Sequence, residues 1–320
     1  MRLSVRLAVA LGSVVVPGLA AVLLAGIAGA QEIDHHASHS INVAVPPQEL
    51  AGGIAHGTTQ GAVVFLAGLV TFVALVWLPS SRVEDPTDHE KAVSVLCRWM
   101  WMLVGLLFVA GLVELPLYAM RASGEALSLG LLKETLFDTR VGQLWTERLV
   151  FGILTATVAS YAAAQPRRSS YWWMAALVAS ALLLMTLTQQ SHAAAEEGLL
   201  PFAADWLHVM AASLWMGGLL GFPILLIGPL RAMPIETRAK LLGRAVPRFS
   251  KVATMAVMSL ILTGLVAVLL HVPNFSALID TPYGRALSIK LGLLALLLAL
   301  GAQNLRLRGG GRLAASWAPS

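Results

Sequence analysis

The chain has 320 residues, 57% of them hydrophobic and only 12% charged, with a formal net charge of +5. A soluble domain carries about 25% charged residues, so this sequence has too little polar surface to cover a globule in water, which sets aside a soluble enzyme and a disordered chain. Its one cysteine, Cys97, allows neither a disulfide framework nor a CxxC metal or redox motif.

In chain order, Arg2 and Arg6 precede an apolar run from Leu7 to Ala28 that closes on Ala28-Gly29-Ala30. A basic start, an apolar middle and a small-residue end make a secretory signal peptide over 1–30. The run is long enough to serve equally as an uncleaved signal anchor, an eighth span, and both readings put the polar leader 31–56 outside. Seven stretches then reach the roughly 20 apolar residues that a spanning helix needs. They fall at 57–78, 99–120, 143–164, 171–190, 202–228, 249–271 and 285–304. The expectation is an all-α polytopic membrane bundle, with a membrane domain at 57–306 and a polar tail at 307–320.

The basic residues give this bundle a direction. Alternate connections hold Arg82, Lys91 and Arg98, then Arg167 and Arg168, then six bases from Arg231 to Lys251, then Arg306, Arg308 and Arg312. The intervening set holds only Arg121, Lys133, Arg140, Arg148 and Arg285. Such asymmetry marks the cytoplasmic side and places the C-terminus there. The positive charge is then an orientation signal with no bearing on nucleic acid. The sequence contains no GxxxxGK[ST] phosphate loop, which rules out ATP-driven pumping by this chain alone.

The third and seventh predicted spans open alike: Thr139, Gly142 and Arg148 have the spacing of Thr281, Gly284 and Lys290. The spans before them share Gly-Leu-Val at Gly111 and Gly264, and the first and fifth share a Gly four residues before a Phe, at Gly68/Phe72 and Gly218/Phe222. These matches suggest a parallel internal duplication, an arrangement that places transport sites between the halves.

Seven of the eight histidines fall toward the outer side, His89 being the exception. Imidazole is the commonest transition-metal ligand. Asp34, His35, His36 and His39 form a short tract able to capture a divalent metal loosely, or else a solvated leader. His56 precedes the first predicted span, His192 and His271 end the fourth and sixth, and His208 lies inside the fifth, one face of which it shares with Asp205. An ionisable group within a span is a functional candidate by default, against the plainer reading of a histidine hydrogen-bonded to the next helix. Glu114 lies inside the second span, where a carboxylate must be protonated, paired or metal-bound. Arg148 and Lys290 lie about two turns inside their spans, either snorkelling outward or pairing with Glu114, Asp205 or an anionic group. Met210 offers a thioether suited to a soft metal, although methionine in an apolar helix is more often packing.

The run His192-Ala-Ala-Ala, then Asp205-Trp-Leu-His208-Val-Met-Ala-Ala-Ser-Leu-Trp215-Met-Gly217-Gly218, resembles the signature of the bacterial copper resistance protein D family. Arg248-Phe-Ser-Lys-Val-Ala with Thr263-Gly264, and Thr281-Pro-Tyr-Gly284-Arg285 with Lys290 and Asn304, resemble it too. The likeness covers roughly 56–306. It implies a copper-handling protein of the bacterial inner membrane, with His192, Asp205, His208, Trp215 and Lys290 at matching positions. Some members carry a periplasmic copper-binding β-domain, for which 31–56 is too short, so delivery would fall to the His tract or a separate periplasmic copper-binding protein. The expected site combines His56, His192, His208 and His271, with Glu114 and Met210 as further ligands. Two alternatives stand beside it: a haem-b redox protein with two of these histidines as axial ligands and Arg148 and Lys290 on the propionates, and a subunit assisting delivery of copper to a cuproenzyme.

Overall fold

The computed structural model describes residues 47–81, 86–165, 169–191 and 198–271, together with Gly292. Of these, 93% are helical and none lies in a strand. Helix α1 (Pro47–Phe72) runs through a π-helical turn (Val73–Trp77) into α2 (Leu78–Ser81), and α3 (Pro86–Ser123) returns. Then come α4 (Leu129–Asp138), α5 (Arg140–Ala164), α6 (Ser169–Thr188), α7 (Leu199–Ile227), α8 (Pro229–Ala232) and α9 (Ile235–His271).

Five segments are long and apolar enough to cross a membrane: Pro47–Ser81, His89–Ser123, Ser170–Thr188, Leu199–Ala232 and Ile235–Leu269. They coincide with the first, second, fourth, fifth and sixth predicted spans. The third is also a helix, α5, outside this set, and it carries Arg140, Glu147 and Arg148 in its first three turns. The seventh span, apart from Gly292, the 1–30 segment, the tract from Asp34 to His39 and the 307–320 tail lie outside the described residues.

The helices are longer than their apolar runs. Helix α1 starts ten residues before the expected span, so His56 sits in its third turn and the end of the 31–56 leader is helical. Pro47 fits the first helical position, where its missing N–H costs nothing, and Glu49 in the first turn suits the helix dipole. Helix α9 likewise begins at Ile235, well before its apolar stretch. Polar first turns of this kind carry no hydropathy signal.

Helix α1 is the hub, packing against α3, α5, α6 and α7, while α7 packs in turn against α9. Their buried faces share one core containing Leu66, Phe72, Trp77, Leu96, Met100 and Phe222. The outward faces are apolar too: Met102, Val109 and Leu112 on α3 and Met255, Leu262 and Leu269 on α9 are exposed. Contiguous apolar surface outside an apolar core fits a hydrocarbon surround, and the chain is a multi-pass membrane protein.

The α1/α7 seam is parallel and in constant register. Ser213 Oγ donates to Val64 O at 3.1 Å, a separation of 149 residues along the chain. Gly68 meets Gly217, and Phe72 meets Gly221, at the same offset. A Cβ on Gly68 would lie 2.6 Å from Ser213 O, so the backbones touch, as small residues permit in membranes. Phe72 stacks edge-on against Phe222 at 5.0 Å, and Phe222 against Phe249 of α9 at 5.5 Å.

Candidate functional site

Glu114 is met by two residues of α1. Its Oε1 lies 2.8 Å from His56 Nδ1, and Thr59 Oγ1 donates to its Oε2 at 2.7 Å. His56 and Thr59 are three residues apart and therefore share one face of α1, the face that α3 covers. The second imidazole nitrogen, Nε2, is 2.9 Å from Gln60 Nε2. The His56 and Glu114 side chains are 19% and 13% exposed, which leaves the pair half-buried and reachable. Further along α3, Pro116 has no N–H to give the Leu112 carbonyl one turn back. An imidazole, a carboxylate and a hydroxyl converging from two helices can hold a proton or a metal cation.

Arg148 does not snorkel: it is 2% exposed. Its Nε donates to Thr186 Oγ1 at 3.3 Å and its Nη2 to Thr186 O at 3.0 Å, with a further bond from Nη2 to Gln190 Oε1. The guanidinium therefore satisfies the C-terminal end of α6, where carbonyls lack helical partners and the dipole favours a cation. Arg140 Nη2 adds a bond to Gln189 Oε1 at 2.8 Å. Arg148 also acts on Glu114 electrostatically, though no ion pair joins them. One turn before Arg148, the Trp145 ring fills the space left by Gly111, and its Nε1 has no hydrogen-bond partner among the described residues.

The second described histidine of the expected site belongs to a different neighbourhood. His208 Nδ1 lies 2.8 Å from Thr263 Oγ1 on α9. The same hydroxyl lies 2.7 Å from Ser259 O, one turn back on α9. Asp205, one turn earlier on α7, accepts from Ser191 Oγ at 3.0 Å, and Trp206 Nε1 donates to Ala181 O of α6 at 3.1 Å. Trp215 packs beside Ala211, Ala256 and Leu260 in the α7/α9 contact. Met210 packs against the main core.

His56 and Glu114 are thus brought together, whereas no group of three or more His, Cys, Asp or Glu side chains able to hold a metal ion forms among the described residues. Asp34, His35, His36, His39, His192 and Lys290 lie outside them; His271 ends α9, but its side chain is not described. Sequence reasoning passed over Thr59, Gln60, Thr186 and Gln190, the partners that organise the site. Thr59 was within reach, three residues from His56, once α1 was known to start at Pro47.

Two family models match the chain: "Copper resistance protein D-like, N-terminal domain" at residues 54–202 and "Copper resistance protein D" at 243–317. The chain is 32% identical over 252 residues to the copper transport protein CutJ of Bacillus subtilis, a match covering 77% of this chain and 46% of that protein. It is 31% identical over 119 residues to copper resistance protein D of Pseudomonas syringae pv. tomato, covering 35% of this chain and 37% of that one. The matches therefore span less than half the length of these curated relatives. No solved structure matches the chain significantly. The residues that resemble the family's signature, the helical membrane architecture and the two matching models lead to one assignment: the chain belongs to the copper resistance protein D family.

Proposed function

We propose that this protein moves copper across the bacterial inner membrane, or hands it over there, and so contributes to copper resistance or homeostasis. Copper is its cargo, first held within the bundle by His56 and Glu114. The observation that carries this reading is the 2.8 Å contact between His56 Nδ1 and Glu114 Oε1 inside a membrane-spanning unit, in a chain whose relatives are named for copper transport and copper resistance. Imidazole accepts both copper oxidation states, and a carboxylate beside it offsets the cation's charge. In this reading the chain has seven spans after the 1–30 signal segment, its C-terminus is cytoplasmic, and the His35, His36 and His39 tract with Asp34 gathers metal outside or takes it from a separate periplasmic copper-binding protein. In the same reading His192 and His271, at the ends of the fourth and sixth predicted spans, extend the ligand supply. Arg148, with its donors engaged by α6, has a structural part.

The test is a pair of substitutions in cells that depend on this protein. His56→Ala and Glu114→Gln should each return cellular copper content and copper tolerance to the values of cells lacking the protein, with membrane levels of the protein unchanged. Wild-type behaviour of both variants would overturn the assignment of the site.

A further inference from the structure

The seam between α1 and α7 fixes where each polar cluster lies around its helix. Counting back along α1 from Val64, at 100° per residue, His56 and Thr59 lie roughly 80° and 140° round from the seam. Counting back along α7 from Ser213, Asp205 and His208 fall at the same two angles, and the 149-residue register puts them at the same heights. Two parallel helices touching through equivalent positions are related by a two-fold axis between them, so equal angles point to opposite flanks. On one flank α3 covers α1 and supplies Glu114; on the other α9 covers α7 and supplies Thr263. Both imidazoles bond the covering helix through Nδ1 at 2.8 Å.

The donor types recur while their positions are exchanged. One flank holds the imidazole of His56, the carboxylate of Glu114 and the hydroxyl of Thr59. The other holds the imidazole of His208 against the hydroxyl of Thr263, with the carboxylate of Asp205 one turn earlier on α7, bonded to Ser191 Oγ. At equivalent positions on the two helices, His56 corresponds to Asp205 and Thr59 to His208, so simple copying of a sequence does not account for the shared set. The plainer explanation is that each flank is held to the same chemistry.

We propose that the chain has two separate copper stations, one on each side of the α1/α7 seam: His56 with Glu114, and His208 with Asp205, each completed by the neighbouring hydroxyl. This rests on the copper reading above and replaces a single shared histidine site with two. Each station offers one imidazole and one carboxylate, a set that favours a transition-metal cation over magnesium or calcium. Two strong donors hold such an ion loosely enough to release it, as passage requires.

The test is titration of the detergent-purified full-length chain with Cu(II) and, separately, with Cu(I) against a chromophoric competitor, in a background carrying His35→Ala, His36→Ala, His39→Ala, His192→Ala and His271→Ala to silence the other outer histidines. The parent should bind two equivalents, His56→Ala and His208→Ala one each, and the double variant none. Glu114→Gln and Thr263→Val keep both rings and should each weaken one equivalent about tenfold, which covers the case where a histidine variant does not fold. Loss of both equivalents on removing either histidine would show one shared site and overturn the proposal, as would retention of both in every variant. A parent chain that binds no copper would defeat the copper reading itself.

Discussion

At the scale of single residues, Glu114 and Arg148 occupy the same region of the bundle with different duties. Glu114 takes its bonds from α1, while Arg148 spends its donors on Thr186 and Gln190 of α6. Arg148→Met should lower stability by about 1–3 kcal/mol, because it leaves buried acceptors unsatisfied; thermal unfolding in detergent measures this. The same substitution should leave copper affinity at Glu114 unchanged or higher, since a nearby positive charge is removed. A loss of affinity larger than the loss of stability would give Arg148 a direct part in binding. Glu114 and His56 were each legible in the sequence as ionisable groups near a span. Their pairing was not, because it depends on α1 beginning at Pro47, in a polar turn without hydropathy signal. Arg148 had the opposite difficulty. Its depth was plain, but Thr186 and Gln190 are ordinary polar residues at a helix end and name no partner.

At the scale of elements, the motif Thr139, Gly142, Arg148 has a structural meaning. Thr139 caps α5 by accepting from Gly142 N at 3.1 Å, Gly142 lets the backbone of α4 approach, and Arg148 ties α5 to α6. Its counterpart at Thr281, Gly284 and Lys290 lies outside the described residues. Of the matching glycine–phenylalanine pairs of the first and fifth predicted spans, Gly68, Phe72 and Phe222 lie at the α1/α7 seam, where Phe72 stacks on Phe222. Sequence similarity marked these positions, but only packing tells which glycine touches which: Gly217 meets Gly68, while Gly218 faces Phe249. Gly68→Val should therefore destabilise the bundle by about 1–3 kcal/mol through overpacking. Gly105→Ala, on α3 with open space around it, should be neutral or stabilising by up to about 1 kcal/mol through helix propensity. Equal melting temperatures for the two variants would show that the seam is not close-packed. The short helix α4 was missed from sequence because its ten residues fall between spans, although Ser128 caps it by accepting from Leu131 N at 3.1 Å.

At the scale of the whole molecule, the apolar runs were enough to place five of the seven predicted spans on long apolar helices, because hydrocarbon admits only helices and closed barrels and so makes composition a direct record of architecture. Site assembly is less legible, since it depends on which faces meet. Nothing along the sequence tells which helix covers His56 and which covers His208, yet α3 covers one and α9 the other. If copper passes through a membrane unit in which His56 and Glu114 hold it, copper flux through the purified chain in sealed lipid vesicles depends on both side chains. Vesicles bearing the wild-type chain should move copper at least tenfold faster than protein-free vesicles, Glu114→Gln should bring the rate back toward the protein-free value, and the sample should lack a reducible Soret band. Flux that Glu114→Gln leaves untouched would exclude this carboxylate from the path, and a wild-type chain that moves no copper and carries haem would be a redox protein instead.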